Sequence, residues 1–519
     1  MLKTTNSGMP APRRPTSSLF GGTPPLPHLP VPDLAVLSFY LLATTALGCW
    51  FALRNRTSEH FMSAGRSLPG WAVGLSIFGS YVSSISFLAN PGKSYGGDWN
   101  AFVFAVSLPL AAWMAVRWFV PFYRRAGEVS AYHHLEHRFG PWARTYAVVC
   151  FLLTQLARLG TIMYLLALAL QPLVGWDVRL IIVVAGVLIT IYPFLGGTEA
   201  VIWTGVVQAL VLVTGPILCI VVLLLGMPGG PGELMAVASS ADKFSLGSPS
   251  FDLTRSTIWV VLLYGLVTNL QNFGIDQSYV QRYITARSDA DARRSIWLGA
   301  LLYIPIGAAF FFIGSALFAY YQVQPALLPP NLKSDAVFPH FIGHQLPPGM
   351  AGLVVAAICA AAMDSNLNCC ATLYLCDIHR RYFRPGASEG EAMLVLRTTT
   401  VVMGTLSTVA ALAMIQVKSA LDTWWELAGI FSGGMLGLFL LGILFPRAGN
   451  RAGFVGALAG VLVILWMTLS PKWDSFPAAW RSPFHNLLVM VFGTLTILTV
   501  GAIASRFEPI PRPRRHEGG

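Results

Sequence analysis

Two long apolar stretches of this chain are each interrupted by residues foreign to lipid, and the interruptions fall at corresponding places in its two halves. The first reads GLSIFGSYVSSISFLANPGKSY over residues 74–95, and the second VVLLYGLVTNLQNFGIDQSYV over residues 260–280. Each unpaired peptide group in hydrocarbon costs several kcal/mol, roughly, so non-helical backbone at bilayer depth survives only where it lines a cavity. One break in each half is the sequence mark of a transporter's binding site.

The remaining sequence agrees with that solvent. Of the 519 residues 55% are hydrophobic and 11% charged, with a mean hydropathy of +0.62, the balance of a polytopic membrane protein rather than a soluble one. Apolar spans are read at 34–53, 70–92, 99–123, 143–172, 178–195, 200–226, 256–281, 295–322, 348–376, 398–417, 423–446, 452–470 and 484–505, predicting an all-α fold of thirteen transmembrane helices. Residues 1–33, with Lys3, Arg13, Arg14 and many prolines, read as a disordered tail, and residues 506–519 as a polar cytoplasmic one. An odd number of spans puts the two termini on opposite faces. Arg124, Arg125, Arg293, Arg294, Arg380 and Arg381 collect at one set of helix ends, which assigns that face to the cytoplasm and predicts N-out, C-in in a plasma (inner) membrane. The formal charge of +11 is thereby assigned to topology and anionic headgroups, not to nucleic acid. All seven cysteines fall in these spans without metal-ligand spacing and read as small packing residues.

Four places carry candidate chemistry. Between Gly79 and Asn90-Pro91-Gly92 the residues Ser80, Tyr81, Ser83, Ser84 and Ser86 crowd hydroxyls where freed carbonyls are expected, a combination suited to a polar solute and a hard cation. In the second interruption Asn269, Gln271 and Asn272 precede Gly274, and Asp276 and Gln277 follow it; Tyr264, nearer the outer end, is a gating candidate. Arg158 lies roughly 21 Å beyond Arg144 at 1.5 Å per residue, too deep to snorkel, and costs at least ~2.5–3.5 kcal/mol on insertion scales unless paired or facing water. Either it faces an aqueous cavity or it pairs with Asp364, the other charge deep in a span. The last place is the histidine set His133, His134 and His137, which lacks a third ligand nearby and reads as an interfacial helix.

Four ordered segments resemble the sodium:solute symporter family: SAYHHLEHRFG at 130–140, GGTEAVIWTGVVQ at 196–208, DQSYVQRYITARSDADARRS at 276–295 and MDSNLNCCATLYLCDI at 363–378. The resemblance covers about residues 34 to 505 and implies a LeuT-type fold, two five-helix units of inverted topology. On this chain the units are 70–226 and 256–446. A helix and loop at 34–69 precede them, an outer loop at 227–255 joins them, and two helices at 447–505 follow. The family implies substrate contacts at Tyr81, Ser83 and Ser86, while Asn269 and Asn272, amides beside a glycine break, read as solute-recognising from the residues themselves. Around Arg158 the chain is similar to bacterial sialic acid symporters, whose equivalent arginine binds the substrate carboxylate.

Ion coupling is where the chain departs from its relatives. The family's sodium site implies carbonyls of Gly79 and Val82 with two hydroxyls on the eighth repeat helix, but those two positions are Ala361 and Ala362, and the family aspartate on the fifth repeat helix is Gly205. Asp364 and Ser365, one turn on, are the replacement candidates, for a displaced Na+ or for a proton. The expectation is a symporter that imports a small anionic solute, sialic-acid-like or another carboxylate, by alternating access driven by sodium. Na+ is the expected coupling ion, with no organic cofactor. The alternatives are a sugar or polyol symporter, a proton-coupled or uncoupled carrier, and a transporter-like sensor. No nucleophile, base and metal set converges at depth, so an enzyme is not expected.

Overall fold

The computed structural model describes residues 30–52, 58–127, 129–362, 366–473 and 476–508. Among these residues every regular element is helical, apart from one isolated parallel bridge between Leu68 and Ala286. Among the described residues nine helices are long and apolar enough to cross a bilayer, and eleven spans result if two bent helix pairs are each taken as one. The thirteen expected spans are reached only by adding the shorter apolar helices Val31–Leu47 and Val178–Ile191. The second of these belongs to a helical run, Val178–Leu225, that the sequence divides into two spans. Its two parts pack differently: Gly186 and Thr190 lie on Thr408 and Gly404, whereas Gly205 lies on Ser76 and Gly215 on Ala357.

Hydrophobic side chains face outward as well as inward. Val187, Leu188, Leu210, Val409, Leu458 and Leu462 are all exposed, as expected where lipid replaces water. With no hydrophobic drive between helices, small residues and polar groups hold the bundle. Along Asn450–Leu469 the glycines 453, 456 and 460 let neighbouring elements approach so closely that a Cβ on Gly460 would stand 2.2 Å from Ile497. Polar caps add to this. Asp33, in the first helix Val31–Ala52, accepts the N–H groups of Gly349 at 2.7 Å and Gly352 at 2.6 Å, and so caps the start of helix Met350–Ala362.

The first expected interruption is present, at residues 82–84. Helix Gly70–Tyr81 ends there and Ile85–Gly96 resumes at a bend of 52°. The break precedes Asn90-Pro91-Gly92, which instead lies in helix Asn90–Gly96, where a proline in the first turn loses no hydrogen bond. The second interruption falls two residues beyond Gly274. Helix Ile258–Ile275 is continuous through Asn269 and Asn272, and the chain turns at Asp276, with φ −73° and ψ 121°, before helix Gln277–Ile284. A further bend, of 43°, separates Ala420–Ser432 from Met435–Leu444 at Gly433-Gly434, where the sequence predicts one straight span.

Candidate functional site

The first break exists because the local sequence supplies substitutes for its lost helical bonds. Serines compete for backbone groups, and Val82 is β-branched, so the run has weak helical preference. Val82 N–H makes the last bond of the first half, to the Phe78 carbonyl at 3.0 Å, and Phe87 N–H to the Ser83 carbonyl begins the second. In between, Arg158 Nη2 donates to the Ser80 carbonyl at 2.8 Å and the Ser86 hydroxyl donates to the Tyr81 carbonyl at 3.0 Å. Those two bonds leave the carbonyls of Gly79 and Val82 to other uses. A π-helical turn over Ile85–Ala89 then carries the chain into its second half.

A cavity opens against this break. Ser80, Tyr81, Ser83, Ser86 and Asn90 form one wall, Arg158 enters from helix Pro141–Val174, and Thr268, Asn272, Tyr279 and Tyr303 face them. Towards the face of the bundle that carries the connection 226–257, the cavity is covered by Phe102, Phe104, Tyr264, Leu421, Trp424 and Trp425. The cavity volume is ≈ 100 Å³. At its base the Tyr81 ring packs against Phe273, Tyr279 and Tyr303, with centroids 5.0–5.4 Å apart. At its mouth Trp425 packs on Tyr264 and Phe104 at 5.3 and 6.0 Å. Arg158 is 8% exposed, so its charge stands in a nearly dry wall with hydroxyls and amides around it.

Of the residues singled out in the sequence, Tyr81, Ser83, Ser86, Arg158, Asn272 and Tyr264 all line this cavity. Asn269 does not. It is fully buried one turn behind the wall, donates to the Phe104 carbonyl at 3.1 Å and the Ser107 hydroxyl at 2.9 Å, and accepts from the Tyr81 hydroxyl at 3.3 Å. Its contact is with the tyrosine that lines the cavity, not with the cavity itself. Gly79, Val82, Ala361 and Ala362 are described, and both alanines are buried in helix Met350–Ala362 with only methyl groups to offer. Asp364 and Ser365, and with them the alternative pairing of Arg158, lie outside the described residues. Tyr279, Tyr303, Trp424 and Trp425 were not singled out from the sequence. The adjacent tryptophans at a span's start are the one local signal that could have found them.

The opposite face is sealed by polar groups. Gln277 donates to the Val129 carbonyl at 2.9 Å and accepts the Ala131 N–H at 2.8 Å, while Gln281 donates to the Met62 carbonyl at 2.6 Å and to the Thr198 hydroxyl at 3.1 Å. All eight residues of helix Gln277–Ile284 are buried. Beside it, Asp377 accepts from Ser130 at 2.7 Å and from Arg144 Nε at 2.8 Å, and Arg144 reaches on to Glu136 at 2.8 Å. Partial burial would raise the Glu136 carboxyl, but hydrogen bonding and charge from Arg144, with Arg381 at 2.5 Å, hold it below the usual range. His133 belongs to this network too, with ring nitrogens 2.9 Å from His137 and 3.1 Å from Arg144, which accounts for the pair without a metal.

Comparison with known proteins places the chain. The profile of the sodium:solute symporter family matches residues 61–463. A sodium/sialic acid symporter of Aliivibrio fischeri, NanT, is 36% identical over 88% of this chain and 91% of its own length. Another, SiaT of Proteus mirabilis, is 35% identical over 92% and 95%. The structure of a Na+-coupled sialic acid symporter in a substrate-bound outward-open state superposes with a TM-score of 0.85 at 33% identity, covering 93% of this chain and 99% of that one. With the all-helical LeuT-type architecture, the paired breaks and a profile match over most of its length, the chain belongs to the sodium:solute symporter family.

Proposed function

We propose that this protein is a sodium-driven symporter that imports a small organic anion, a sialic acid or a similar carboxylate, by alternating access. The observation that carries the reading is Arg158, a nearly buried guanidinium on the wall of a cavity built at a broken helix. One of its nitrogens holds the Ser80 carbonyl. A carboxylate bound at the rest of the fork would therefore be tied mechanically to the break itself. Ser83, Ser86, Asn272 and Tyr303 would take the solute's hydroxyls and amide, and Tyr81, steadied by Asn269, would shape the base. Its kinship with the two bacterial sialic acid symporters supports the same solute class.

The repeats are 70–226 and 256–446, and the face carrying 226–257 is the outer one, with the N-terminus outside and the C-terminus in the cytoplasm. The cavity then reaches outward while glutamines 277 and 281 close the inner side. Coupling follows if Na+ stabilises the state open to the outside, because an ion can shift the equilibrium only by its differential affinity for the two states. The carbonyls of Gly79 and Val82 remain as ligands.

A second reading of the coupling ion rests on Gly205, Ala361 and Ala362. A Cβ at Gly205 would stand 2.8 Å from the Ser76 hydroxyl, so no room is kept there for the family's carboxylate. A cation of this hardness needs several oxygens, and a proton-coupled or less sodium-dependent carrier answers to their loss. Uptake of labelled sialic acid into proteoliposomes tests both points. Arg158→Ala is expected to raise the apparent KM by about 30-fold or more, as for loss of one partner of a buried charged hydrogen bond at about 2–5 kcal/mol. An unchanged KM would remove the clamp. Replacing sodium by choline at constant pH should abolish uptake, and full activity in choline would establish the second reading.

A further inference from the structure

A second cation, Lys93, stands just outside the residues that line the cavity, in a setting unlike that of Arg158. Lys93 lies on helix Asn90–Gly96, three residues after Asn90, which lines the cavity, so the two side chains share a helix face about 4.5 Å apart along its axis. Its ammonium lies 2.9 Å from both carboxylate oxygens of Asp422, and the two side chains are 40% and 48% exposed. Asp422 is in the first turn of helix Ala420–Ser432, which brings Leu421, Trp424 and Trp425 over the cavity. Asp335 joins the same two elements from behind. It accepts the Ala420 N–H at 3.0 Å, and it packs so tightly on Gly92 that a Cβ there would stand 2.6 Å from its carboxylate. His485 lies within the field of both Lys93 and Asp422.

An ion pair this exposed to water stabilises a fold very little, and its lysine can exchange one carboxylate for another at small cost. The half-buried Asp335 contact already joins the helices. What Lys93 and Asp422 add is a charged pair beside the cavity lining, one helical turn from Asn90 and next to Leu421. We infer that Lys93 is the capture residue of the cavity: an incoming organic carboxylate displaces Asp422 from Lys93, which leaves the anion one helical turn from Asn90. The inference rests on the reading of the solute as an anion and adds to it a site distinct from Arg158.

Sialic acid is the probe, with equilibrium binding measured by thermal shift and uptake kinetics by flux across a range of ionic strength. Lys93→Gln should lower kcat/KM about tenfold at low salt, leave kcat within twofold, and flatten the salt dependence of kcat/KM; Lys93→Arg should restore the salt dependence. Asp422→Asn, which frees the lysine without removing it, should keep or raise kcat/KM. A Lys93→Gln protein with wild-type kcat/KM and wild-type salt dependence overturns the capture role while wild-type binding leaves the carboxylate reading standing. Equal loss of kcat in Lys93→Gln and Asp422→Asn would make the pair merely structural and also overturns it. Absence of sialic acid binding to the wild-type protein, in sodium, overturns both.

Discussion

Replacing Gln277 with alanine should unlock the sealed face, by an amount that follows from two hydrogen bonds. The side chain serves the Val129 carbonyl at 2.9 Å and the Ala131 N–H at 2.8 Å, and Gln277 and Ala131 are fully buried. Removing it strands the fully buried Ala131 N–H and the half-buried Val129 carbonyl while the face is closed. A buried group left without its partner costs about 1–3 kcal/mol, but once the face opens both groups are hydrated and that penalty disappears. The substitution therefore penalises the closed state alone. Taking about 2–3 kcal/mol for the pair, the closed-to-open ratio should fall roughly 30- to 150-fold. Hydrogen–deuterium exchange in nanodiscs reads this directly. Peptides covering residues 129–135 and 277–284 should exchange faster by that factor, while those from helix Asn450–Leu469 serve as the unchanged reference. Exchange within threefold of the wild type in both segments would refute the argument, since it would mean that the two groups find other partners or that the face does not open there.

Other substitutions have equally definite outcomes. Asp377→Ala leaves Arg144 buried with only Glu136 as a carboxylate partner, so denaturant unfolding should show a loss near the lower end of about 3–5 kcal/mol, with Asp377→Asn milder. Gly314→Ala would set a Cβ 2.3 Å from the Pro91 carbonyl and 2.9 Å from the Tyr95 nitrogen, both backbone atoms. Helix Asp289–Val323 must then shift from the second half of the broken span, at about 1–3 kcal/mol in melting experiments and with impaired uptake. Burial against Phe122 and Phe439, with the charges of Arg138, His137 and His133, lowers the His134 pKa from 6.5 to about 4. Between these values the unfolded chain binds a proton that the folded one refuses, so stability is complete above pH 6.5 and falls by up to about 3 kcal/mol towards pH 4. His134→Phe should flatten that part of the melting-temperature profile.

The serine cluster at 80–86 revealed the first break because weak helical preference and local hydroxyls act within a few residues, a range visible in sequence. The proline at 91 misled by position only: in a first turn it continues a helix as readily as it ends one. Gly274 was a poorer guide than Asp276, because a carboxylate that accepts the Ser278 N–H at 2.8 Å starts a new helix wherever it falls. Asn269 shows the limit of such reasoning. It shares a helix with the wall residue Asn272, yet which of the two meets the cavity depends on where Phe104 and Ser107 stand, more than 150 residues away in the chain. The bend at Gly433-Gly434 was hidden for a different reason, since paired glycines are also the ordinary means of close helix contact in lipid.

Asp33 gives the first helix a duty that its position ahead of both repeats disguises. By neutralising the exposed amide end of Met350–Ala362, it braces the far element whose other end presents Ala361 and Ala362. Trimming or re-anchoring the chain ahead of residue 34 would thus be felt some 18 Å deeper, at 1.5 Å per residue over that helix, as a change in how firmly that end of the helix is held.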